Sequence, residues 1–149
     1  PILRYKYYGC REYGDYYADA VCKYTGKDIM RWKPDVIVPV ALTGRKQRMR
    51  GFNQSAYLAD RVGEQLQIPV AYGLVKKIRN TKSQKKLNAA QRKQNLADAF
   101  RAEENIRGLT VLVIDDVYTT GSTVDAMAQC LKGAGAEQVY FITLCAGQQ

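Results

Sequence analysis

Asp115 and Asp116, followed two residues later by Thr119, Thr120, Gly121, Ser122 and Thr123, are the residue types in this chain best suited to chemistry. A small-residue loop that opens a helix can turn its hydroxyls and backbone N–H groups on one anion, and a glycine within it permits close backbone approach. Two neighbouring carboxylates accept hydrogen bonds from vicinal sugar hydroxyls and, through water, can ligate Mg²⁺. An anion site beside a diol site suits a ribose phosphate. Single residues of these types also make turns and helix caps, but here they occur together and in order. Competing phosphate motifs are missing: no Gly-x₄-Gly-Lys-Ser/Thr string and no strand-linked G-x-G-x-x-G occurs.

These residues need a strand to carry them. Val111, Leu112, Val113 and Ile114 form an unbroken apolar run directly before the acids, as expected of a parallel strand covered on both faces, whose ligands lie beyond its carboxyl end. A helical pattern follows from Val124 to Leu131. Upstream, Val36-Ile37-Val38 reads as the first strand, with Pro39 tolerated only at its end. Asn53 or Ser55 caps a helix through Leu66, with Ala56, Leu58, Ala59, Val62 and Leu66 as its buried stripe. A second strand is expected near Val70–Tyr72, ended by Gly73, and a last one over Val139–Leu144 after the turn Gly133-Ala134-Gly135. Alternating helices and strands predict an α/β fold with a mostly parallel sheet flanked by helices.

The remaining segments are less regular. Tyr13, Tyr16, Tyr17, Ala20, Val21 and Tyr24 recur at helical spacing and predict a helix with a tyrosine-rich face. From Ile78 to Phe100 the chain is polar and basic, with one short helical pattern after Asn88, where Asn88 and Gln91 form a capping box. Long loops of this kind inside compact domains are functional lids or disordered segments. No internal repeat or linker divides the chain, so residues 1–149 are expected to form a single domain.

The chain has 149 residues, 46% of them hydrophobic and 25% charged, with a formal net charge of +9, as expected of one soluble globular domain. No apolar run approaches the roughly 20 residues of a membrane-spanning helix. Cys10, Cys22, Cys130 and Cys145 are too scattered for a C-x-x-C knuckle and suit thiols in a reducing cytoplasm. The basic excess is clustered: Arg45, Lys46, Arg48 and Arg50 follow the first strand, and Lys76, Lys77, Arg79, Lys82, Lys85, Lys86, Arg92 and Lys93 fill the middle of the chain. Such loops beside two acids have a use if the ligand is a polyanion. The chain has no histidine, which excludes an imidazole base.

The string VLVIDDVYTTGST resembles the phosphoribosyl diphosphate (PRPP) signature of type I phosphoribosyltransferases. Arg50-Gly51-Phe52-Asn53-Gln54, Thr81-Lys82-Ser83-Gln84 with Leu87, Arg92 and Asn95, and Ala99-Phe100 further resemble the competence protein F (ComF) family, phosphoribosyltransferase-like proteins linked to DNA uptake. The resemblance extends from Leu3-Arg4-Tyr5-Lys6-Tyr7-Tyr8-Gly9 to the final strand. It implies a type I phosphoribosyltransferase-like fold, with a hood segment at residues 1–33, a core at 34–149 and a lid at about 76–100. Asp115 and Asp116 are then the catalytic acids and the Mg²⁺ site, acting through water and substrate. Thr119, Thr120, Gly121, Ser122 and Thr123 take the 5′-phosphate. Ala41, Leu42, Thr43 and Arg45 or Lys46 contact pyrophosphate, and Thr81, Lys82, Ser83 and Gln84 contact substrate from the lid. Family members commonly begin with a four-cysteine zinc ribbon; this chain carries none, so zinc is not expected in it, and its start at Pro1 reads as a fragment or processed product.

The implied activity is transfer of a phosphoribosyl group from PRPP to a nitrogenous acceptor with release of pyrophosphate. Two other classes remain open. One is a PRPP or nucleotide sensor without transferase activity, since a cradle does not fix chemistry. The other is a single-stranded DNA-binding module, in which the basic lid and the tyrosines grip phosphates and bases, alone or with competence proteins as partners.

Overall fold

The strand that carries the acids organises the molecule. In the computed structural model, which describes residues 11–40, 48, 52–78, 88, 90, 91, 99–118 and 121–146, this strand runs over Thr110–Tyr118. Successive side chains of a strand point to opposite faces. Val111 and Val113 accordingly enter one core cluster and Leu112 and Ile114 another, all four fully buried. The unbroken apolar run is thus the mark of a strand covered on both sides.

In chain order the described elements are α1 (Arg11–Trp32), β1 (Val36–Pro39), α2 (Gln54–Leu66), β2 (Val75–Lys77), β3 (Phe100–Ala102), β4 (Thr110–Tyr118), α3 (Ser122–Gly133) and β5 (Gln138–Ala146), with a short 3₁₀ turn over Glu104–Ile106. The main sheet has the order β1-β4-β5, all parallel. Pro39 ends β1 as expected, and the ladder continues by one bond from the Val40 N–H to the Ile114 carbonyl, 3.0 Å.

The strand expected near Val70–Tyr72 is reduced to a single parallel bridge between Val70 and Ile37. The Ile37 N–H donates to Pro69 O and the Ala71 N–H to Ile37 O, both at 2.9 Å. Pro69 has no N–H to extend the ladder, and Gly73, with φ of 112°, turns the chain away.

Helices α1 and α2 share one sheet face and α3 covers the other. The expected α1 helix is present, and its tyrosines divide: Tyr17 packs half-buried against the core while Tyr16 and Tyr24 face outward. Gly14, Ala18, Val21, Gly26 and Ile29 are buried, while Tyr16 and Tyr24 are 69% and 75% exposed. Small residues let α1 lie close against α2. Polar ties flank the seam: the Tyr57 hydroxyl donates to Asp15 at 2.9 Å, Arg61 pairs with Asp15 at 2.9 Å, and the Gln65 amide donates to Asp19 at 2.7 Å. At the far end the Trp32 ring stacks on Tyr140 with centroids 4.5 Å apart. Because α1 leads almost directly into β1, its first turns lie at the carboxyl edge of the sheet.

α2 ends at Leu66, and Gly63 in its last turn is under close constraint, since a Cβ there would stand 2.7 Å from both the Ile68 carbonyl oxygen and Val70 Cγ2.

The basic segment expected as an irregular lid is zipped at its base. Val75, Lys76 and Lys77 pair antiparallel with Ala102, Arg101 and Phe100, and the Ile78 N–H donates to Ala99 O at 2.8 Å. Val75 and Phe100 are buried in the α3-side core, which anchors a stem whose lysines stay outside. The expected capping box is present: the Gln91 N–H donates to Asn88 Oδ1 at 2.8 Å and the Asn88 N–H to Gln91 Oε1 at 3.1 Å. Among the described residues no helix is long and apolar enough to cross a membrane.

Candidate functional site

The carboxyl edge of the sheet is where β1 ends, where β4 delivers its acids and where α3 begins. The acids sit toward the carboxyl end of the strand, as expected, and the strand runs further than its apolar run. β4 continues to Tyr118, with Asp115 paired to Thr143, Val117 to Cys145 and Tyr118 to Ala146, because β5 extends far enough to supply partners. The acids are therefore held by a ladder on rigid backbone, the arrangement that best fixes the direction of a functional side chain.

Asp116 is buried and Asp115 partly so. Asp115 Oδ1 accepts two hydrogen bonds, from the Ser55 hydroxyl at 3.0 Å and from the Asp116 N–H at 2.8 Å. Burial, and then the neighbouring Asp116 charge, push the Asp115 carboxyl up to about 7, against the two donors that favour its anion. Two acids side by side in a partly dry setting are poised to gain from a cation or from hydroxyl donors. Among the described residues no third metal-binding side chain joins them. Carboxylate oxygens completed by substrate oxygens and water fit the ligand preferences of Mg²⁺.

Gly121 stands between β4 and α3 with φ of 78°. A Cβ there would meet the Tyr118 hydroxyl and ring, the far end of an exposed side chain, so the left-handed φ is the main ground against a side chain here and the ring a lesser one. Its carbonyl accepts from the Asp125 N–H at 2.8 Å, closing the first turn of α3. Ser122 and Thr123 lie in that turn, where the amides and the positive end of the helix dipole suit an anion. Asp115, Asp116, Gly121, Ser122 and Thr123 are thus on one edge, within a single strand-to-helix crossing.

Thr119 and Thr120 lie outside the described residues, as do Ala41, Leu42, Thr43, Arg45 and Lys46 of the expected pyrophosphate loop and Thr81, Lys82, Ser83 and Gln84 of the expected lid. The described residues on either side of the expected pyrophosphate loop lie near this site: Val40 is hydrogen-bonded to Ile114, and the first turn of α2 reaches Asp115 through Ser55.

Two features were not anticipated from the sequence. Ser55 was expected only as an alternative helix cap; Asn53 is the cap, its Oδ1 accepting from the Ala56 N–H at 3.2 Å, and Ser55 turns to Asp115 instead. The second is a cleft of about 450 Å³ beside the end of β1, bounded by Val38, Pro39, Asn53, Ala71, Val75 and Lys76. Its size is that of a small-ligand site. Lys76 reaches Glu103 at 3.4 Å, and the Lys77 amine stands 5.4 Å from the Phe100 ring centre. No sequence signal links the first turn of α2 with a hairpin stem twenty residues later.

Comparison with known proteins agrees with this architecture. The chain is 42% identical to the DNA utilization protein YhgH of Escherichia coli K12 over 112 residues, which are 75% of this chain and 49% of that protein. It is 35% identical to competence protein F of Haemophilus influenzae over 109 residues, 71% of this chain and 48% of that one. The chain thus spans about half the length of the curated relatives it matches. Among solved structures, a hypoxanthine phosphoribosyl transferase of Trypanosoma cruzi superposes with a TM-score of 0.60 at 12% identity, over 93% of this chain and 75% of that one. A purine phosphoribosyltransferase of Pyrococcus horikoshii superposes with a TM-score of 0.56 at 18% identity, over 88% and 73%. At such identities the likeness shows the type I phosphoribosyltransferase fold alone. The family model of the phosphoribosyl transferase domain matches residues 15–149, and the chain belongs to that family, with competence protein F and the DNA utilization proteins among its relatives.

Proposed function

We propose that the chain binds PRPP and transfers its phosphoribosyl group to a nitrogenous acceptor, releasing pyrophosphate. The observation that carries this reading is the placement of the Asp115–Asp116 pair and the Gly121-led start of α3 on one edge of the sheet, a short loop apart. Carboxylates accept from a ribose diol, and the helix N-terminus takes the 5′-phosphate with Thr119, Thr120, Ser122 and Thr123.

In the transfer, the bond from the anomeric carbon to the diphosphate oxygen breaks and its electron pair leaves with pyrophosphate. The acceptor nitrogen supplies the pair for the new bond and afterwards sheds a proton. Positive charge develops on the sugar as the bond lengthens, beside the acids of β4. Asp115 and Asp116 are the residues that would hold Mg²⁺, which when bound would supply positive charge to the leaving diphosphate. Ala41, Leu42, Thr43, Arg45 and Lys46, which follow β1, are assigned to that diphosphate, with the cleft beside β1 on the same side. Thr81, Lys82, Ser83 and Gln84, which follow β2 in the chain, are assigned the exclusion of water. The described cysteines, Cys22, Cys130 and Cys145, are free thiols, which suits a cytoplasmic setting.

The test is calorimetric titration of the protein with PRPP, with and without Mg²⁺, followed by an acceptor screen read by pyrophosphate release. Mg²⁺-dependent binding with release supports transfer. Binding without release for any nitrogenous acceptor favours a sensor, and no binding removes the reading.

A second reading, single-stranded DNA binding, is favoured by the outer face of α1. Tyr16 and Tyr24 are exposed there, and the Lys23 amine lies 5.4 Å from the Tyr24 ring centre. Asp15 and Asp19 are turned to α2 and engaged by Arg61, Tyr57 and Gln65. Aromatic faces among lysines suit stacked bases and their phosphates. The names of the relatives, which refer to DNA utilization and competence, point the same way. Both functions can coexist, since the two surfaces are different.

A further inference from the structure

The Asn53-Gln54-Ser55 turn sits at the candidate site although it is sixty residues from the acids in sequence. Asn53 does the capping, and its side-chain amide also donates to the Val40 carbonyl at 3.4 Å, tying the start of α2 to the end of β1. The cap being filled, the Ser55 hydroxyl is left for a long-range partner, which is Asp115. Ser55 is only 5% exposed, so this hydroxyl has little access to water as an alternative.

A carboxylate is planar. Two donors on Oδ1, one from its own strand and one from a different element, set the plane of the group and so the direction of Oδ2. The Asp116 N–H and the Asp116 side chain, which also interacts with Asp115, both belong to the next residue of the same strand, so by themselves they hold the carboxyl from one element only. The bond from α2 holds it from a second, and a bidentate contact with two adjacent hydroxyls depends on such fixed orientation.

We infer that Ser55 is a positioning residue that orients the Asp115 carboxylate toward the sugar hydroxyls, so that preference for a ribose over a deoxyribose phosphate is set from the first turn of α2. This inference rests on the PRPP reading, and it concerns the hydroxyl end of that ligand alone. A residue that merely supported α2 would affect every ligand of the edge equally.

The experiment is calorimetric titration of the whole chain with ribose 5-phosphate and with 2-deoxyribose 5-phosphate, for the unsubstituted protein, Ser55→Ala, Asp115→Asn and the double variant. Loss of a hydrogen bond to a charged group predicts that Ser55→Ala weakens ribose 5-phosphate about ten-fold and leaves the deoxy sugar within about two-fold. In the Asp115→Asn background the same change should cost nothing further, because Ser55 acts through that carboxylate. Equal loss for both sugars, no loss for either, or additive losses in the double variant overturns the role of Ser55 and leaves the site standing. Failure of the unsubstituted protein to bind PRPP with Mg²⁺ overturns the PRPP reading and this inference with it, whereas binding of PRPP but of neither sugar phosphate overturns this inference alone.

Discussion

Asp115 is costly to hold and useful because of it. Its carboxyl titrates near 3.8 in the unfolded chain and at about 7 in the fold, so the folded state binds the extra proton between those values. Stability contributed by that proton is fully present below about pH 4 and is lost as pH rises toward 7. Thermal melting should therefore show Asp115→Asn more stable than the unsubstituted protein at pH 8, by on the order of 2 kcal/mol for a partly buried carboxylate. The two should converge below pH 4. A stabilised variant that has also lost Mg²⁺-dependent PRPP binding, as Asp115→Asn with Asp116→Asn should, is the mark of an acid kept for function. Retained binding in the double variant would remove the site assignment. Gly121→Ala tests the other end: a left-handed φ and the Tyr118 ring both oppose it, so it should cost about 1–3 kcal/mol and weaken binding of ribose 5-phosphate.

At the scale of elements, the site depends on α2 being anchored at both ends. Its amino end meets β1 and β4 through Asn53 and Ser55, and its carboxyl end is pressed against Ile68 and Val70 at Gly63. Asn53→Ala should cost about 1 kcal/mol for the lost cap, read as a lowered denaturant midpoint. Gly63→Val should cost more, roughly 1–3 kcal/mol of overpacking, since the obstruction at Ile68 is backbone oxygen. The stem of β2 and β3 follows the same logic, with Phe100 as its buried foot. Phe100→Ala should lower the melting temperature by the equivalent of about 3 kcal/mol.

For the whole molecule, a net charge of +9 with no histidine makes association with polyanions a salt-dependent property. If α1 is a nucleic-acid surface, affinity for a single-stranded oligonucleotide falls steeply between low and physiological salt. Tyr16→Ala with Tyr24→Ala should weaken it by about 1–3 kcal/mol per lost stacking contact, leaving PRPP titration unchanged. Fluorescence anisotropy at two salt concentrations separates the outcomes: binding that ignores both salt and the tyrosines would remove DNA from the account.

The local pattern of the chain was sufficient for the parts whose physics is local. An apolar run covered on both faces, a proline that closes a strand, a helix that starts at Asn53 or Ser55, the Asn88–Gln91 box and the acid-to-glycine crossing from β4 into α3 all follow from neighbouring residues. The parts decided only in three dimensions depend on partners distant in sequence. The length of β4 came from the reach of β5, and the outward turn of Tyr16 and Tyr24 came from the small residues that face α2. The β2–β3 stem exists because Val75 and Phe100 find the same core, and Ser55 meets Asp115 because helix and strand end on one edge. None of these can be read from periodicity, since each is a pairing between segments rather than a property of one.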